Sequence, residues 1–389
     1  MSKWEMVKLG DVCDVRDGTH DSPKYVSDGY PLVTSKNLAN GYIDISNANY
    51  ISEEDFIKIS IRSGVDDGDI IMPMIGTIGN PIVVKKNFEF AIKNVALIKF
   101  AGDKVLNKFV YYILKSHLFE RYVERENRGG TQKFISLGNI RNFSFLLPPL
   151  EIQKQIAKTL DTAAGLLPMR KQQLAELDDL IKSTFYDMFG DPVANEKGWR
   201  TGIIKNLTLK TQYGTSEKAS TEQLRYPILR MNNITYEGNM DFSDLKYIDL
   251  DEKDIEKYLV HQGEMLFNRT NSKELVGKTS VYREDKPMAF AGYLVKLIPN
   301  EHANSEFISA YLNSSYGKKL LFKMAKNIVG MANINAQELV NISIYIPPIE
   351  LQNQFASIVT KIEEQKALVK IAINETQVLF NSMMAKYFE

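Results

Sequence analysis

The 389-residue chain carries 48 Lys plus Arg against 48 Asp plus Glu, with 44% hydrophobic and 25% charged residues, the balance of a globular protein large enough for two or three domains. Zero net charge means that any nucleic-acid footprint must be local. A single cysteine, Cys13, excludes an internal disulfide, and the four histidines (His20, His117, His261, His302) never pair at metal-ligand spacing. With no signal-peptide core and no run of about eighteen apolar residues, the expectation is a cytoplasmic protein with no metal and no membrane contact.

In chain order, short apolar or β-branched runs at 31–34, 69–72, 81–84 and 96–100 are bounded by Gly, Pro, Asn and Asp, which predicts strands. Residues 108–122 place apolar side chains at three- and four-residue steps and predict a helix. From Leu150 the pattern becomes heptads: Leu160, Leu167, Leu174, Ile181 and Met188 on one row, Ile156, Ala163 and Leu177 on its neighbours. A helix of about forty residues would be about 60 Å long. Gly165 and Pro168 predict a kink or break in it, because proline lacks the N–H and clashes with the preceding turn. Gly190-Asp191-Pro192 ends it.

From Trp199 the pattern repeats. Trp4 matches Trp199, Gly18-Thr19 matches Gly214-Thr215, Tyr30-Pro31-Leu32-Val33 matches Tyr226-Pro227-Ile228-Leu229, Asn37 falls on Asn233, and Gly68-Asp69 falls on Gly263-Glu264. Leu147-Pro148-Pro149-Leu150-Glu151-Ile152-Gln153 matches Ile346-Pro347-Pro348-Ile349-Glu350-Leu351-Gln352, and the offset drifts only from 195 (199 minus 4) to 199 (351 minus 152). Strands recur at 227–229, 264–267, 279–282 and 294–298, followed by a helix at 305–326. The second heptad segment has Leu351, Ile358 and Leu379 on one row and Phe355, Ile362, Val369 and Met383 on the other, weakened by Gln365, Ala372 and Thr376. A period near 200 is too long for a solenoid and marks duplication of a whole domain. Two amphipathic helices on one chain find their nearest partner in each other. The expected fold is α+β: two tandem α/β domains (1–149 and 199–348) separated by long antiparallel coiled-coil helices (150–190 and 349–389), with a linker at 191–198 and internal pseudo-twofold symmetry.

No G-x-G-x-x-G, H-E-x-x-H or G-x-S-x-G occurs, so catalysis is not expected. Residues 272–279 approach a phosphate-binding loop, but serine stands where the first glycine is needed, and the matching Gly76-Thr77-Ile78-Gly79-Asn80-Pro81 has no lysine. Gly18-Thr19-His20 is answered by Gly214-Thr215-Ser216, so His20 reads as a turn or recognition residue. What remains is binding chemistry in loops. Residues 121–133 hold four cations, two acids and a Gly-Gly hinge, and their counterpart 318–326 holds four lysines, of which Lys319, Lys323 and Lys326 share a predicted helix face at phosphate-contact spacing. Arg and Asn at 230–233 and 268–273 suit the edges of guanine and adenine. Strand and boundary residues agree between the copies while loop residues differ, as in Thr34-Ser35-Lys36 against Arg230-Met231-Asn232. The candidate DNA contacts are Thr19, His20, Thr34, Ser35, Lys36, Asn37, Arg128, Gly130, Thr131 and Gln132 in the first copy. In the second they are Thr215, Arg230, Asn232, Asn233, Arg269, Asn271, Lys273, Lys319, Lys323, Lys326 and Asn333.

The whole chain resembles the specificity subunit of type I restriction-modification systems. The marks are 17–25 (Asp-Gly-Thr-His-Asp-Ser-Pro-Lys-Tyr), 29–38, Gly68-Asp69-Ile70, Gly76-Thr77-Ile78-Gly79 and 147–157; the second copy follows through Gly263-Glu264-Met265 and 346–354 but lacks the Gly-Thr-His and Thr-Ser-Lys forms. The resemblance implies a non-catalytic reader of double-stranded DNA whose two target recognition domains each read one half of a bipartite asymmetric site. Two methyltransferase subunits would dock on the helices and flip adenines to modify them, and two restriction subunits can join. S-adenosylmethionine, ATP and Mg²⁺ would then belong to partners, with no cofactor on this chain. The aromatic residues Phe185, Tyr186, Phe189, Phe380, Tyr387 and Phe388 exceed what one helix pair can bury and are expected to meet the methyltransferase. The alternative is a coiled-coil adaptor that binds only proteins.

Overall fold

The computed structural model describes residues 4–39, 41–76, 78–127, 134–328 and 331–389. The chain divides into two compact units, Met1–Arg170 with Ala372–Glu389, and Lys171–Ile371. Each joins a globular domain to parts of both long helices.

In the first unit an antiparallel sheet runs in the order Asp14–Asp17, Val95–Lys99, Ile70–Pro73, Ile82–Val83. Val95 and Leu97 face one apolar cluster with Val33 and Ile71, while Ala96 and Ile98 face another with Phe109 and Ile113. A strand covered on both faces reads as an unbroken apolar run, and this is why Val-Ala-Leu-Ile shows no alternation. A second sheet, Ala91–Ile92, Tyr30–Val33, Asn49–Ile51, Tyr25–Val26, contains one parallel pairing, Ala91–Ile92 with Tyr30–Val33.

The second unit repeats the plan. Thr208–Tyr213, Leu294–Pro299, Met265–Asn268 and Thr279–Val281 form the antiparallel sheet, and Lys246–Ile248, Tyr226–Leu229, Met288–Phe290 and Leu259–Val260 form the mixed one. The Gly-acid mark is an ion pair inside this framework. Lys99 Nζ lies 2.7 Å from Asp69 Oδ2, and buried Lys296 Nζ lies 3.1 Å from Glu264 Oε2.

Each single helix expected after the sheets is in fact two. Asn107–Leu114 is followed by His117–Glu126, and Ser305–Asn313 by Ser315–Met324. Ser116 and Ser314 between them are extended (ψ 157° and 160°), and Ser314 Oγ accepts from Gly317 N–H at 3.0 Å. Apolar periodicity persists across such a turn, but an N-cap serine ends one helix and starts another. A Cβ on Gly317 would lie 2.4 Å from the Tyr311 carbonyl oxygen, so only glycine lets the second helix fold this closely on the first.

The Pro-Pro-x-x-x-Gln mark staples a long helix to its own domain. Gln153 is fully buried; its Oε1 accepts from Leu106 N–H at 2.8 Å and its Nε2 donates to the Lys104 and Pro148 carbonyls at 3.0 and 2.8 Å. Gln352 repeats this with Asn304 N–H and the His302 and Pro347 carbonyls at 2.9, 3.2 and 2.9 Å. A buried amide with every bond made holds geometry, and leaving its partners unpaired costs about 1–3 kcal/mol.

Leu150–Phe189 and Ile349–Phe388 are each 40-residue helices, and Pro168 lies inside the first without breaking it. The missing hydrogen bond costs about 3 kcal/mol, against a helix whose two ends are each packed in a core. In the second unit Asp178 meets Lys366 while Phe185 and Phe189 meet Phe355, so rising numbers on one helix face falling numbers on the other: the pairing is antiparallel. In the first unit Ile156 and Leu160 share a core with Met384 and Phe388.

Two expectations about these helices are corrected. Ile358 and Leu379 are exposed, and the buried row is Gln352, Phe355, Val359, Ile362, Lys366, Val369 and Thr376. Two polar side chains hold seam positions because their needs are met locally: Thr376 Oγ1 donates to the Ala372 carbonyl at 2.7 Å, and Lys366 Nζ reaches Asp178, Asn239 and Glu363 at 2.6, 2.6 and 2.8 Å. The aromatic residues expected to meet a methyltransferase instead complete the globular cores. Phe185, Phe189 and Phe388 are buried, Phe189 stacks edge-on against Phe307 at 4.9 Å, and Tyr186, Phe380 and Tyr387 pack partly buried beside them.

Candidate nucleic-acid interface

In the second unit Arg269 sits between Met265–Asn268 and Thr270–Asn271. Its N–H donates to the Tyr293 carbonyl and its own carbonyl accepts from Ile334 N–H, both at 2.9 Å; Nη1 donates to the Gly292 carbonyl at 3.3 Å, and the guanidinium lies 5.0 Å from the Tyr213 ring centroid. The side chain is therefore aimed by backbone on both sides, and its Nε is buried with no partner among the described residues. Thr270–Asn271 pairs antiparallel with Met331–Asn333, and Asn333 Nδ2 donates to Thr270 Oγ1 at 2.7 Å. Arg269, Asn271 and Asn333 are thus brought together, beside exposed Tyr213 and Tyr293. Sequence reasoning missed the two tyrosines; their one signal was a position next to Gly214 and Gly292.

The first unit builds its exposed surface differently. His20 Nε2 lies 2.7 Å from Asp17 Oδ2 and Nδ1 lies 2.8 Å from Asn94 Oδ1, while Arg62 donates to the other oxygen of buried Asp17. Acceptors at both ring nitrogens favour the imidazolium, and the hydrogen bonds to Asn94 and then Asp17 raise the His20 pKa. Asn94 holds its amide there from a left-handed backbone (φ 56°), which asparagine tolerates. Lys93 Nζ donates to Ser22 Oγ at 2.8 Å nearby. The second copy has Ser216 in place of His20.

Several of the expected contacts lie inside the scaffold. Thr19 and Thr215 are buried, and each Oγ1 accepts a backbone N–H two residues on, from Asp21 and Glu217, both at 3.1 Å. The glycines before them are needed because a Cβ on Gly18 or Gly214 would lie 2.4 or 2.3 Å from the carbonyl oxygen of Ile92 or Ala291. Asn37 and Asn233 are buried braces. Asn37 Oδ1 accepts from Thr34 N–H and its Nδ2 donates to the Asp44 carbonyl, at 2.9 and 3.0 Å; Asn233 accepts from Arg230 N–H and donates to the Asp241 carbonyl, at 2.9 and 2.8 Å. Thr34 Oγ1 donates to the same Asn37 oxygen, and Arg230 is tied to Asp244 Oδ2 at 2.8 Å. The braces hold two short turns, Ser35–Asn37 and Met231–Asn233, that leave Lys36 and Asn232 exposed and Ser35 half-buried.

Lys319 and Lys323 are exposed on Ser315–Met324, but Lys326 is not on that helix: it opens the strand Lys326–Ile328, because the chain turns extended at Ala325 to pair with Met331–Asn333. Lys273 lies with its Nζ 4.7 Å from the Phe322 ring centroid. Arg128, Gly130, Thr131 and Gln132 lie outside the described residues.

Comparison with known proteins follows the same division. The chain matches the type I restriction modification DNA specificity domain over residues 1–178 and again over 197–376. It is 22% identical over 393 residues to the type I restriction enzyme EcoKI specificity subunit of Escherichia coli (strain K12), covering 94% of this chain and 83% of that one. The putative type I restriction enzyme MjaX specificity subunit of Methanocaldococcus jannaschii is 29% identical over 194 residues, covering 49% and 45%. In fold it is similar to the crystal structure of the type I restriction-modification system S subunit from M. genitalium, with a TM-score of 0.57, 14% identity and coverage of 100% and 96%. Two matches to one domain family, laid over two units of one topology, show that the chain belongs to the type I restriction-modification DNA specificity family.

Proposed function

We propose that this chain is the sequence-reading subunit of a type I restriction-modification complex, in which each globular domain reads one half of a bipartite asymmetric site in double-stranded DNA. The carrying observation is that the buried polar contacts of the two copies match while the exposed groups differ: Asn37 and Asn233 do the same work, but His20 and the Arg269, Asn271, Asn333 group have no counterparts of like chemistry. One scaffold presenting two surfaces is the construction that two unlike half-sites require. Residues 1–149 and 199–348 would be the readers, 150–190 and 349–389 the spacers, and 191–198 the link.

Within this reading, Arg269, Asn271, Asn333, His20, Lys36 and Asn232 face DNA, Lys319 and Lys323 contact phosphate, and Thr19, Thr34, Asn37, Thr215, Arg230 and Asn233 shape the loops that carry them. Two methyltransferase subunits would dock on the long helices, where Leu368 and Ile371 of the second unit stand exposed, with restriction subunits joining in the cytoplasm. S-adenosylmethionine, ATP and Mg²⁺ would be held by those partners. The test is binding to duplexes carrying one or both half-sites, identified by mapping methylated adenines in the host, across a salt series with the methyltransferase present. Affinity should fall steeply with salt as phosphate contacts release counterions; salt-independent or absent binding would support the protein-only adaptor.

A further inference from the structure

Residues 273–278 of the second unit lie against the helix Ser315–Met324 and enclose a cleft of about 340 Å³. Lys273, Lys278 and Lys318 line it, with Tyr236, Phe322 and one carboxylate, Glu274. Lys318 Nζ stands over the Tyr236 ring, 3.3 Å from its centroid, and donates to the Tyr236 carbonyl. Lys278, 9% exposed, donates to the Met231 carbonyl at 2.8 Å. An ammonium has three N–H donors, so each of these two has donors unspent, and among the described residues neither forms an ion pair. Burial without a counter-ion disfavours the charged form: desolvation pushes Lys318 down to about 8 and lowers Lys278 as well, only partly opposed by Glu237. An anion in the cleft would supply what both lack.

The first unit holds the same cleft with the charge reversed. Gly76, Ile78, Gly79 and Asn80 lie against His117–Glu126 around about 350 Å³. At an offset of 198 (278 minus 80, 318 minus 120, 322 minus 124), Asn80 replaces Lys278, Glu120 replaces Lys318 and Glu124 replaces Phe322. Gly79 and Gly277 turn the two loops with nearly the same φ, 90° and 87°. The shape of the cleft is thus common to both copies, but Lys278 and Lys318 have no cationic equivalents in the first, whose one lining lysine, Lys115, stands with Glu120 and Glu124.

We propose that the cleft of the second unit is a phosphate subsite, with Lys278 and Lys318 as its donors, and that the first unit has none. The apolar wall leaves room for the carbon side of a phosphate ester. The source rests on the DNA-reading assignment above: a backbone phosphate beside the second half-site, or else a free phosphate compound.

The test uses the full chain. Lys318 should react severalfold faster than surface lysines with an amine-selective reagent near pH 8, and inorganic phosphate should protect it. Lys318→Met and, separately, Lys278→Met should abolish specific phosphate binding in calorimetry, with Glu120→Gln in the first unit as control and thermal melts to confirm folding. On duplex carrying the second half-site, either variant should reduce the slope of log affinity against log salt by about 0.9, one phosphate contact. Phosphate protection with an unchanged slope supports the subsite and assigns it to a free phosphate compound. Protection absent and slope unchanged, while duplex is still bound, overturns the subsite and leaves DNA reading intact. Protection present but no duplex bound sinks the DNA reading instead.

Discussion

Gln153 and Gln352, and Asn37 and Asn233, occupy equivalent places in the two domains and make equivalent bonds, and the equivalent acids Asp69 and Glu264 each pair with a strand lysine, Lys99 or Lys296, taken from positions two residues apart in register. His20 against Ser216, and Glu120 against Lys318, are equivalent in place and opposite or unrelated in chemistry. Inside the scaffold, a polar group that loses its partner costs about 1–3 kcal/mol, so the two copies can differ little. On the exposed loops no such penalty applies, and each copy carries its own surface. The lesson is that agreement between duplicated halves marks what holds the fold, and disagreement marks what the fold is for.

The comparison can be broken at four points. The largest effect should come from Phe189→Ala, which opens a cavity among Phe185, Phe307 and Phe355 and should cost about 3–5 kcal/mol. Hydrogen exchange should show protection lost in the second unit and retained in the first; uniform loss would mean that the units do not unfold separately. Gln153→Leu and Gln352→Leu should each cost about 1–3 kcal/mol by calorimetry, and a large difference between them would undo their equivalence. Arg269→Ala should relax one base position of the second half-site by about 1–3 kcal/mol and leave the first untouched; equal weakening at both would make Arg269 a phosphate or scaffold contact.

The smallest effect is a pH dependence confined to the first domain. Because its hydrogen bonds to Asn94 and Asp17 raise the folded pKa of His20, its charge and its contribution to stability are complete below the pKa of an unfolded histidine, about 6.5. Both are lost as pH rises through the folded value. Affinity for the first half-site should therefore decline with rising pH more than affinity for the second, and His20→Asn should remove the difference. Parallel pH profiles for the two half-sites in the unaltered chain would rule His20 out as a contact.

The duplication, the strands and the helical identity of the long segments were legible because they rest on periodicity and on local chemistry that one chain displays in order. The family marks were legible for the same reason, since Gly18, the Gly-acid pairs and the Pro-Pro-x-x-x-Gln signatures are demands of close backbone approach, ion pairing and buried amides. Other features were not. Whether Asn37 faces solvent or braces a turn depends on Asp44 seven residues away. Whether Lys366 belongs on the surface or in a helix seam depends on Asp178 and Asn239, 188 and 127 residues away. The fate of Phe185, Phe189 and Phe388, read from sequence as a docking surface, was likewise decided by cores assembled from distant segments. Apolar period and turn chemistry are written residue by residue along the chain. Which polar groups are left over to meet DNA is set by burial and by long-range hydrogen bonds, and those exist only once the chain has folded.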